Sequence, residues 1–392
     1  MKIAYILSST TPLGGASKSF KTMLSGLMKF GVEPVIIVPD KKGLYKEFKK
    51  QGISVYALRY KLNIYPELGT LKKVIEFIPR IIVKYFLNTI ASHQLAAILC
   101  QEHADIVHTN VGVINIGFAA SRKALLSHIY HIREYGDLDF NMNVFPSKKN
   151  FQKELNMSQS YTICITRDIQ QYYQQTGKDT SRVIYNGIKP AMNGCVHNKK
   201  KDYLLYAGRI EPAKGLYELL VAYADYLKTT PKALPLYITG IVHDENYWKD
   251  IQVYIQESQL EKLVRYLGQR SDIEIIMQQA RAIIIPSHFE GFGRCMPEAM
   301  FNGCLSIGRN TGGTKEQLDN GLRLQGNEIA LRYDTTSELT QFLCEISQSP
   351  IAHYQPMIER AFQTVNQLYT EENNARETYQ FYQTILKADK CL

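Results

Sequence analysis

Two glutamates, Glu290 and Glu298, stand eight residues apart around a glycine-rich turn in the segment HFEGFGRCMPEAMFNG, residues 288–303. A carboxylate accepts two hydroxyl hydrogen bonds, which suits a ribose diol or the edge of a sugar ring. Gly291 and Gly293 allow the backbone to approach a ligand closely and to direct N–H groups at it. These residue types therefore indicate a site for a polyhydroxylated ligand.

A second group of candidate residues follows an earlier apolar run, in YLLYAGRIEPAKG at residues 203–215. Gly208, Arg209 and Lys214 come directly after a predicted strand and at the start of a predicted helix. Backbone N–H groups at a helix N-terminus form, together with two cations, a site for a diphosphate. Taken alone, the segment is equally well explained by solvated charges on a loop.

Both segments belong to a repeating alternation of strands and helices. Apolar runs rich in β-branched or aromatic residues are separated by segments long enough for a helix, which predicts βαβ units and parallel sheets. The runs are IAYIL, PVIIV, DIVHT, YTICI, YLLYAG, LYITG, VRYLG, AIIIPS and LSIG. Ligands of open parallel sheets bind beyond the carboxyl ends of the strands. We therefore expect the candidate residues at that edge.

The chain of 392 residues exceeds what one hydrophobic core usually fills, which favours two domains. NGIKPAMNGCVHNKKK, residues 186–201, combines two Asn-Gly pairs, a proline and a basic run, as interdomain segments do. We predict an N-terminal domain over 1–190, a second domain over 198–370 and a C-terminal helix over 371–392 that packs back on the first domain. The fold class is α/β, with two doubly wound, Rossmann-like domains facing a central cleft.

The seven cysteines include no CxxC pair, so we expect reduced thiols and a cytoplasmic protein. The first apolar run is too brief for the core of a signal segment and leads into a Gly-rich turn, so it is predicted to be a buried strand.

The basic excess is concentrated near the start, where residues 1–100 hold 15 Lys and Arg against 5 Asp and Glu. This excess predicts an anionic partner surface, a membrane or a nucleic acid, although no nucleic-acid-binding motif is present. The apolar stretch 71–99 contains four cations and Pro79, which argues against a transmembrane span. Two interpretations remain open: an amphipathic helix covering the sheet, or a basic helix lying in a membrane interface.

Several motifs in order give a family resemblance. GRxxxxKG at 208–215, PSxFEGFG at 286–293 and the two glutamates eight apart resemble the family 4 glycosyltransferases, which are retaining enzymes of the GT-B fold. VIYNGI at 183–188, DIVH at 105–108 and the Gly14-Gly15 loop extend the resemblance over most of the chain.

The resemblance implies a role for each motif. Arg209 and Lys214 would neutralise the donor diphosphate, Glu298 would bind the ribose hydroxyls, and Glu290 would contact the transferred sugar. Further donor-binding residues would be Gly14, Gly15, Gly208, Phe292, Gly293 and Arg294. His131, in IYHIREYG, matches a histidine that the family places near the reacting sugar. A lone histidine beside an apolar run is more often structural, so that alternative remains open.

Other residues near the predicted strands have less defined roles. Arg133 and Glu134 are candidates for a pair with each other, and Thr166 and Arg167 follow another strand. Departures from the family pattern concern the acceptor and the sugar: they are Asn110, Tyr185 and Cys304.

The implied substrates are a UDP-sugar or GDP-sugar donor and a saccharide or lipid-linked acceptor. No DxD motif with adjoining acidic residues stands in a fitting position, so we expect no metal and no other cofactor. The basic first domain suggests attachment to the inner face of the cell membrane.

Three other classes of protein compete with this interpretation. A NAD-dependent Rossmann enzyme requires GxGxxG after the first strand, which SSTTPLGGAS does not provide. A nucleotide-sugar epimerase of the same fold would transfer no sugar to an acceptor. A catalytically inert donor-binding subunit would bind the donor without turning it over.

Overall fold

The computed structural model describes residues 1–12, 14–66, 71–140, 142–195 and 199–390. The chain divides into unit 1, which comprises Met1–Gly187 and Glu371–Leu392, and unit 2, which comprises Ile188–Thr370. Residue 198, where the second predicted domain begins, lies outside the described residues, as do 391 and 392 at the end of the predicted C-terminal helix.

Unit 1 is built on a sheet of seven parallel strands in the order β3-β2-β1-β4-β5-β6-β7. The strands are β1 (Lys2–Ile6), β2 (Glu33–Val38), β3 (Ser54–Ala57), β4 (Ile106–Thr109), β5 (Ser127–Ile132), β6 (Ser160–Cys164) and β7 (Ser181–Val183). The helices are α1 (Gly15–Lys29), α2 (Gly43–Lys50), α3 (Leu71–Ile75), α4 (Phe77–Gln101), α5 (Ile116–Ala124), α6 (Asp137–Phe140), α7 (Lys148–Leu155), α8 (Arg167–Tyr172) and α16 (Glu371–Asp389).

Side chains on the two faces of this sheet enter separate cores, because successive residues of a strand point in opposite directions. Ile3 and Tyr5 of β1 face α1 and α16, and Tyr382 belongs to the same core. Ala4 and Ile6 face α4 and α5. Helices therefore cover both faces, which defines a doubly wound fold.

Unit 2 repeats this plan with six parallel strands in the order β10-β9-β8-β11-β12-β13. The strands are β8 (Leu204–Ala207), β9 (Leu236–Thr239), β10 (Val264–Tyr266), β11 (Ala282–Ile285), β12 (Leu305–Arg309) and β13 (Leu331–Tyr333). The helices are α9 (Leu216–Thr229), α10 (Glu245–Glu257), α11 (Ile273–Gln279), α12 (Cys295–Phe301), α13 (Gly312–Gln325), α14 (Thr336–Gln348) and α15 (Gln355–Leu368), with short 3-10 turns at Pro212–Lys214 and Ile351–Tyr354.

All nine apolar runs singled out in the sequence lie in strands. The nine runs leave out four strands. β5 is the central strand that contains the apolar part of IYHIREYG, whereas β3, β7 and β13 have only three or four residues and lie at sheet edges. Edge strands are buried less completely than central ones, so they lack the continuous apolar run by which a buried parallel strand is recognised.

The apolar stretch 71–99 forms α3 and most of α4, and α4 packs against α5. Its C-terminal half buries Ala91, Leu95 and Leu99 on the sheet, as the amphipathic-helix interpretation expects. Among the helices that the structure describes, none combines the length and apolarity of a membrane span.

Candidate active site

The strand order of unit 2 places a topological switch point between β8 and β11. Counted within unit 2, the strands follow the order 3-2-1-4-5-6. In this order the chain leaves the two central strands toward opposite faces of the sheet, and ligands bind beyond the carboxyl ends of those two strands. β8 ends at Ala207 and leads directly into Gly208 and Arg209, and β11 ends at Ile285 and leads into the loop 286–293. Both motifs predicted to bind a donor therefore meet at the switch point of the sheet.

A close backbone approach brings the two loops together. Gly215 has a φ of +67°, and a Cβ at this position would lie 2.1 Å from the carbonyl oxygen of Pro286. Only glycine fits this combination of left-handed backbone and contact. The turn that carries Lys214 therefore packs directly against the loop that carries Glu290.

This approach creates the central contact of the site. Lys214 Nζ lies 2.8 Å from Glu290 Oε1, and the two side chains are 15% and 21% exposed. Ser287 Oγ donates to the same carboxylate oxygen at 2.8 Å. Lys214, which is predicted to hold the diphosphate, and Glu290, which is predicted to contact the sugar, are therefore direct neighbours. The sequence analysis missed Ser287 because the serine of PSxFEGFG gives no separate signal.

The other two cations of the site are also held by carboxylates. Arg209 Nη2 lies 2.8 Å from Glu211 Oε1, and Arg294 Nε lies 3.1 Å from Glu298 Oε1. Since each cation faces an acid of its own, an anionic ligand has to share these cations with the carboxylates. The bond to Glu290 occupies one of the three N–H donors of Lys214, which leaves further donor capacity for a phosphate.

The N-terminus of α13 contacts the glutamate loop from the other side. The N–H of Gly313 donates to the carbonyl oxygen of Glu290 at 2.8 Å. A Cβ on Gly313 would lie 2.6 Å from the carbonyl oxygen of Phe292, so a larger residue would displace the loop. The N-cap residue, Thr311, makes no side-chain cap hydrogen bond, and α13 adds the partial positive charge of its N-terminus to this edge.

Phe292 contributes through its backbone, not through its ring. The side chain is 3% exposed and packs edge-on against Tyr369, with ring centroids 5.4 Å apart. Gln317 Nε2 donates to the carbonyl oxygens of both Phe292 and Gly293. The ring therefore anchors the loop in unit 2. Gln317, which the sequence analysis missed, holds the turn through these two hydrogen bonds.

In unit 1, the corresponding switch point lies between β1 and β4, and the Gly14-Gly15 loop follows β1. Gly14 is the N-cap of α1, without a side-chain cap, and Gly15 is its first helical residue. Among the described residues, a Cβ on Gly14 would meet nothing closer than Ser17 Oγ at 4.0 Å. The N-terminus of a helix suits an anionic group, and the donor-binding role expected for the two glycines stays a prediction.

His131 lies at the end of β5 and is fully buried. Its Nδ1 atom is 3.2 Å from Arg133 Nη2 and 3.1 Å from Nε2 of His108, on the neighbouring strand β4. A guanidinium only donates, so Nδ1 of His131 accepts and the ring proton is on Nε2. Within the described residues, this Nε2 has no hydrogen-bond partner. His131 therefore holds a buried N–H donor that no described group satisfies.

A chain of hydrogen bonds connects His131 through His108 to the C-terminal helix and orients the His108 tautomer. Tyr382 Oη lies 2.6 Å from His108 Nδ1, and Tyr5 Oη lies 3.3 Å from Tyr382 Oη. If Tyr382 donates to Nδ1 of His108, the His108 proton is on Nε2 and is directed at His131. His108 was present in DIVH without an assigned role, and no local pattern could have indicated Tyr382, 274 residues away.

Arg133 and Glu134 have separate partners instead of forming a simple pair. Arg133 donates from Nη1 to Asn186 Oδ1 at 2.7 Å and from Nη2 to Asn110 Oδ1 at 2.9 Å. Glu134 accepts from the N–H of Gly112 at 2.8 Å. Burial, with a contribution from Asp139, raises the pKa of Glu134 to about 7. Asn110, a departure from the family pattern, therefore positions Arg133 against His131.

Thr166 has a local structural role. It is the N-cap of α8, and its hydroxyl accepts from the N–H of Ile169 at 3.2 Å. The side chain is buried, whereas the next residue, Arg167, is exposed.

In the ranges that the structure describes, no group of three or more His, Cys, Asp or Glu is placed to hold a metal ion. Metal independence stays a prediction.

The Tyr382→Phe variant tests the hydrogen-bond chain to His131. Loss of the donor to His108 Nδ1 should release the His108 tautomer and cost about 1 kcal/mol, or about fivefold in kcat, with the KM for the donor unchanged. The acid limb of the pH–rate profile should also shift, because His108, which contacts His131, loses its fixed proton arrangement.

Tyr379→Phe is the matched control, since Tyr379 is on the same helix but stacks on Phe30. Equal kcat values and superimposable pH–rate profiles for the two variants would show that Tyr382 has only a packing role.

Comparison with known proteins agrees with this architecture. Residues 191–330 match the family model of glycosyl transferases group 1. Over 134 residues the chain is 31% identical to O-antigen chain mannosyltransferase B of Escherichia coli, a segment covering 33% of this chain and 34% of that protein. Over 144 residues it is 29% identical to glycogen synthase of Mycobacterium tuberculosis, covering 36% and 34%. The chain thus spans about a third of the length of these curated relatives.

The fold is shared over nearly the whole chain with solved structures. HepE of Anabaena, solved in complex with UDP and glucose, superposes with a TM-score of 0.73 at 18% identity, covering 97% of this chain and 98% of that one. The family match covers residues 191–330, within unit 2, and the two Rossmann-like units share the fold of solved GT-B glycosyltransferases.

Proposed function

We propose that this chain is a retaining glycosyltransferase of the family 4 type. It transfers a hexose-type sugar from a nucleoside-diphosphate sugar to a hydroxyl of a saccharide or lipid-linked acceptor, in bacterial-type polysaccharide or glycolipid assembly. The observation that carries the proposal is the contact of Lys214 with Glu290 at 2.8 Å, at the switch point of the unit 2 sheet. A cation for a diphosphate and a carboxylate for sugar hydroxyls are side by side there.

The hard part of the reaction is the departure of the nucleoside diphosphate. The bond between the anomeric carbon and the phosphate oxygen breaks, and negative charge accumulates on the leaving group. Lys214, Arg209 and the N-terminus of α13 are fixed positive groups at this edge, and preorganised charge of this kind lowers the barrier. Glu298 holds the ribose hydroxyls.

Retention of configuration follows in this proposal from attack on the face that the diphosphate leaves. The acceptor oxygen bonds to the anomeric carbon, and the acceptor proton passes to an oxygen of the departing phosphate. A double displacement would instead need a carboxylate nucleophile. Glu290 is engaged by Lys214 and Ser287, which suits a carboxylate that accepts from sugar hydroxyls.

Unit 1 binds the acceptor in this proposal. The family resemblance assigns His131 to the reacting sugar, and its Nε2–H, which is buried and unpartnered among the described residues, is the donor available for a sugar hydroxyl. An unsatisfied buried donor costs free energy that a bound hydroxyl recovers. The basic unit 1 attaches the enzyme peripherally to the inner, cytoplasmic face of an anionic cell membrane, where lipid-linked acceptors are available.

The expected donor is a UDP- or GDP-sugar, and one solved structure of the same fold supports the UDP class. HepE was solved with UDP and glucose, and one curated relative is a mannosyltransferase. We infer a hexosyl donor of this class for the present chain, with the base and the sugar to be identified by experiment.

A thermal-shift titration with UDP, GDP, ADP and CMP tests the donor site. Ligand at about 100 times its Kd stabilises the native state by about 3 kcal/mol, so one nucleotide should raise the Tm by several degrees. Glu298→Ala should lose most of that shift. Glu257→Ala, which removes an exposed carboxylate of the same unit, should retain it.

The competing functions give different results. Absence of a shift with every nucleotide would remove the donor site. A shift without turnover of any donor sugar would favour the inert subunit, and conversion of the donor sugar without an acceptor would favour the epimerase.

A further inference from the structure

The N-terminal half of α4 and the end of α3 expose a continuous set of large apolar side chains. Eight residues between positions 74 and 90 are each at least 40% exposed. This apolar stripe consists of Val74, Ile75, Ile78, Ile82, Val83, Tyr85, Phe86 and Ile90. The buried residues Lys84, Asn88, Ala91, Ser92, Leu95 and Leu99 lie on the opposite face of α4. The helix is therefore apolar on its solvent side.

A surface of this kind is unusual in a soluble monomer. At 1.5 Å per residue, the stripe is about 20 Å long, and its exposed apolar area is on the order of several hundred Å². Patches of that size mark interaction surfaces. The stripe runs along the exposed side of α4 and the end of α3.

Lys84 lies among the residues of the stripe in the sequence, but its side chain is not on the exposed face of the helix. Lys84 is 6% exposed, and its Nζ donates to the carbonyl oxygen of Ile64 at 3.0 Å. The same Nζ lies 3.8 Å from the centroid of the Phe145 ring. Arg80 pairs with Glu76 at the border of the stripe. The exposed face is therefore an apolar strip within a charged unit, as in helices that lie in a membrane interface.

The charge of the two units favours an anionic bilayer over a second copy of the chain. Unit 1 holds 27 Lys and Arg against 17 Asp and Glu, whereas unit 2 holds 19 against 20. Two copies joined through α4 would bring together two units with a net charge of +10 each, which repel, whereas anionic lipid attracts the same charge.

A cavity beside the start of α4 gives an independent argument that this surface contacts a lipid-linked ligand. It has a volume of about 920 Å³ and lies within unit 1, with Phe77 of α4, Tyr65, Tyr135, Asp137 and Lys148 among its lining residues. Tyr65 and Phe77 stack with an interplanar angle of 4°. Aromatic faces with a few polar groups suit a saccharide. A saccharide in this cavity would have its lipid next to the stripe.

We propose that the apolar stripe of α4 lies in the surface of an anionic bilayer and brings the cavity of unit 1 to the level of the lipid headgroups. The proposal deepens the proposed function, since it names a lipid-anchored saccharide as the acceptor class. The membrane contact itself requires neither donor nor turnover.

Sedimentation with vesicles tests the contact directly. The full chain should bind vesicles of phosphatidylcholine with about 30% phosphatidylglycerol at least tenfold more tightly than pure phosphatidylcholine vesicles. The double variant Ile78→Glu/Ile82→Glu should weaken binding to the anionic vesicles by at least 30-fold. Both side chains are more than 60% exposed, so the changes leave the core untouched.

Leu125→Glu provides the matched control. It places one such charge at an 81% exposed apolar residue of unit 1, outside the stripe, and should change vesicle binding less than threefold. Equal losses for the control and the double variant would mean that net charge alone governs binding, and would overturn the role of the stripe.

Two further outcomes overturn the proposal. The first is a wild-type chain that ignores anionic vesicles at moderate salt. The second is a concentration-dependent dimer that the double variant dissociates, which would assign the stripe to a second copy. The nucleotide thermal shift is measured without vesicles, so failure of the membrane contact is distinguishable from failure of the donor site.

Discussion

Replacement of Lys214 by alanine is expected to lower kcat by about 10²- to 10³-fold. Removal of one preorganised group that stabilises developing negative charge typically costs that much. Lys214 Nζ is held 2.8 Å from Glu290 at the donor edge of unit 2, so the cation is in place before the diphosphate leaves. The measurement is transfer of sugar from the donor that the nucleotide titration identifies, with kcat and KM determined separately.

The fold should survive this change. The Lys214–Glu290 pair is partly exposed, so its loss should cost about 1 kcal/mol or less, and Glu290 keeps the hydrogen bond from Ser287. Lys228→Ala serves as the control, because Lys228 is an exposed lysine of α9, in the same unit. Near-normal transfer by a folded Lys214→Ala protein would remove Lys214 from the catalytic machinery.

The positions of the proposed donor-binding motifs were predictable because two strong local patterns coincide. Central parallel strands are buried on both faces and appear in the sequence as continuous apolar runs, as AIIIPS and YLLYAG do. The residue that follows such a run is at the carboxyl edge of the sheet. The neighbourhood of Arg209, Lys214 and Glu290 follows from the sequence once two such runs are assigned to adjacent strands.

What the sequence could not predict depends on register and on distant parts of the chain. The pairing of β4 with β5 brings His108 next to His131, and the packing of α16 brings Tyr382 to His108. The inward orientation of Lys84 and of the Phe292 ring depends on the surrounding core. None of these features has a local spacing rule, so the sequence could not indicate that Lys84 and the ring of Phe292 point inward.

Acidification is expected to destabilise unit 1 by about 3 kcal/mol per pH unit between about pH 6.5 and pH 4.5. His108, His128 and His131 are fully buried, and burial lowers the pKa of each well below its usual value, to about 3 for His128, with a further contribution from Arg133 for His108 and His131. Their stabilisation is present above the unfolded pKa near 6.5 and is lost as the pH falls, because the unfolded state binds three more protons.

Glu134 changes the stability with pH in the opposite direction to the three histidines, by the equivalent of one bound proton. Its native pKa of about 7 exceeds the unfolded value, so its contribution to stability is present at low pH and is lost as the pH rises toward 7. The net difference of two protons gives the slope of about 3 kcal/mol per pH unit, at 1.4 kcal/mol per proton. Glu134→Gln should therefore steepen the slope by about 1.4 kcal/mol per pH unit, whereas His128→Gln should reduce it by the same amount.

Hydrogen exchange of the β4 and β5 amides in denaturant measures these slopes for unit 1 alone. Fluorescence does not, because the single tryptophan, Trp248, lies in α10 of unit 2 and serves as the internal reference. His93→Gln, at an exposed position of α4, controls for the loss of an imidazole. An unchanged slope in His128→Gln would mean that this histidine is protonated in the folded protein. A buried cation would then lie beside Thr109, whose hydroxyl is 2.8 Å from Nε2 of His128, and the neutral-histidine account of unit 1 would be wrong.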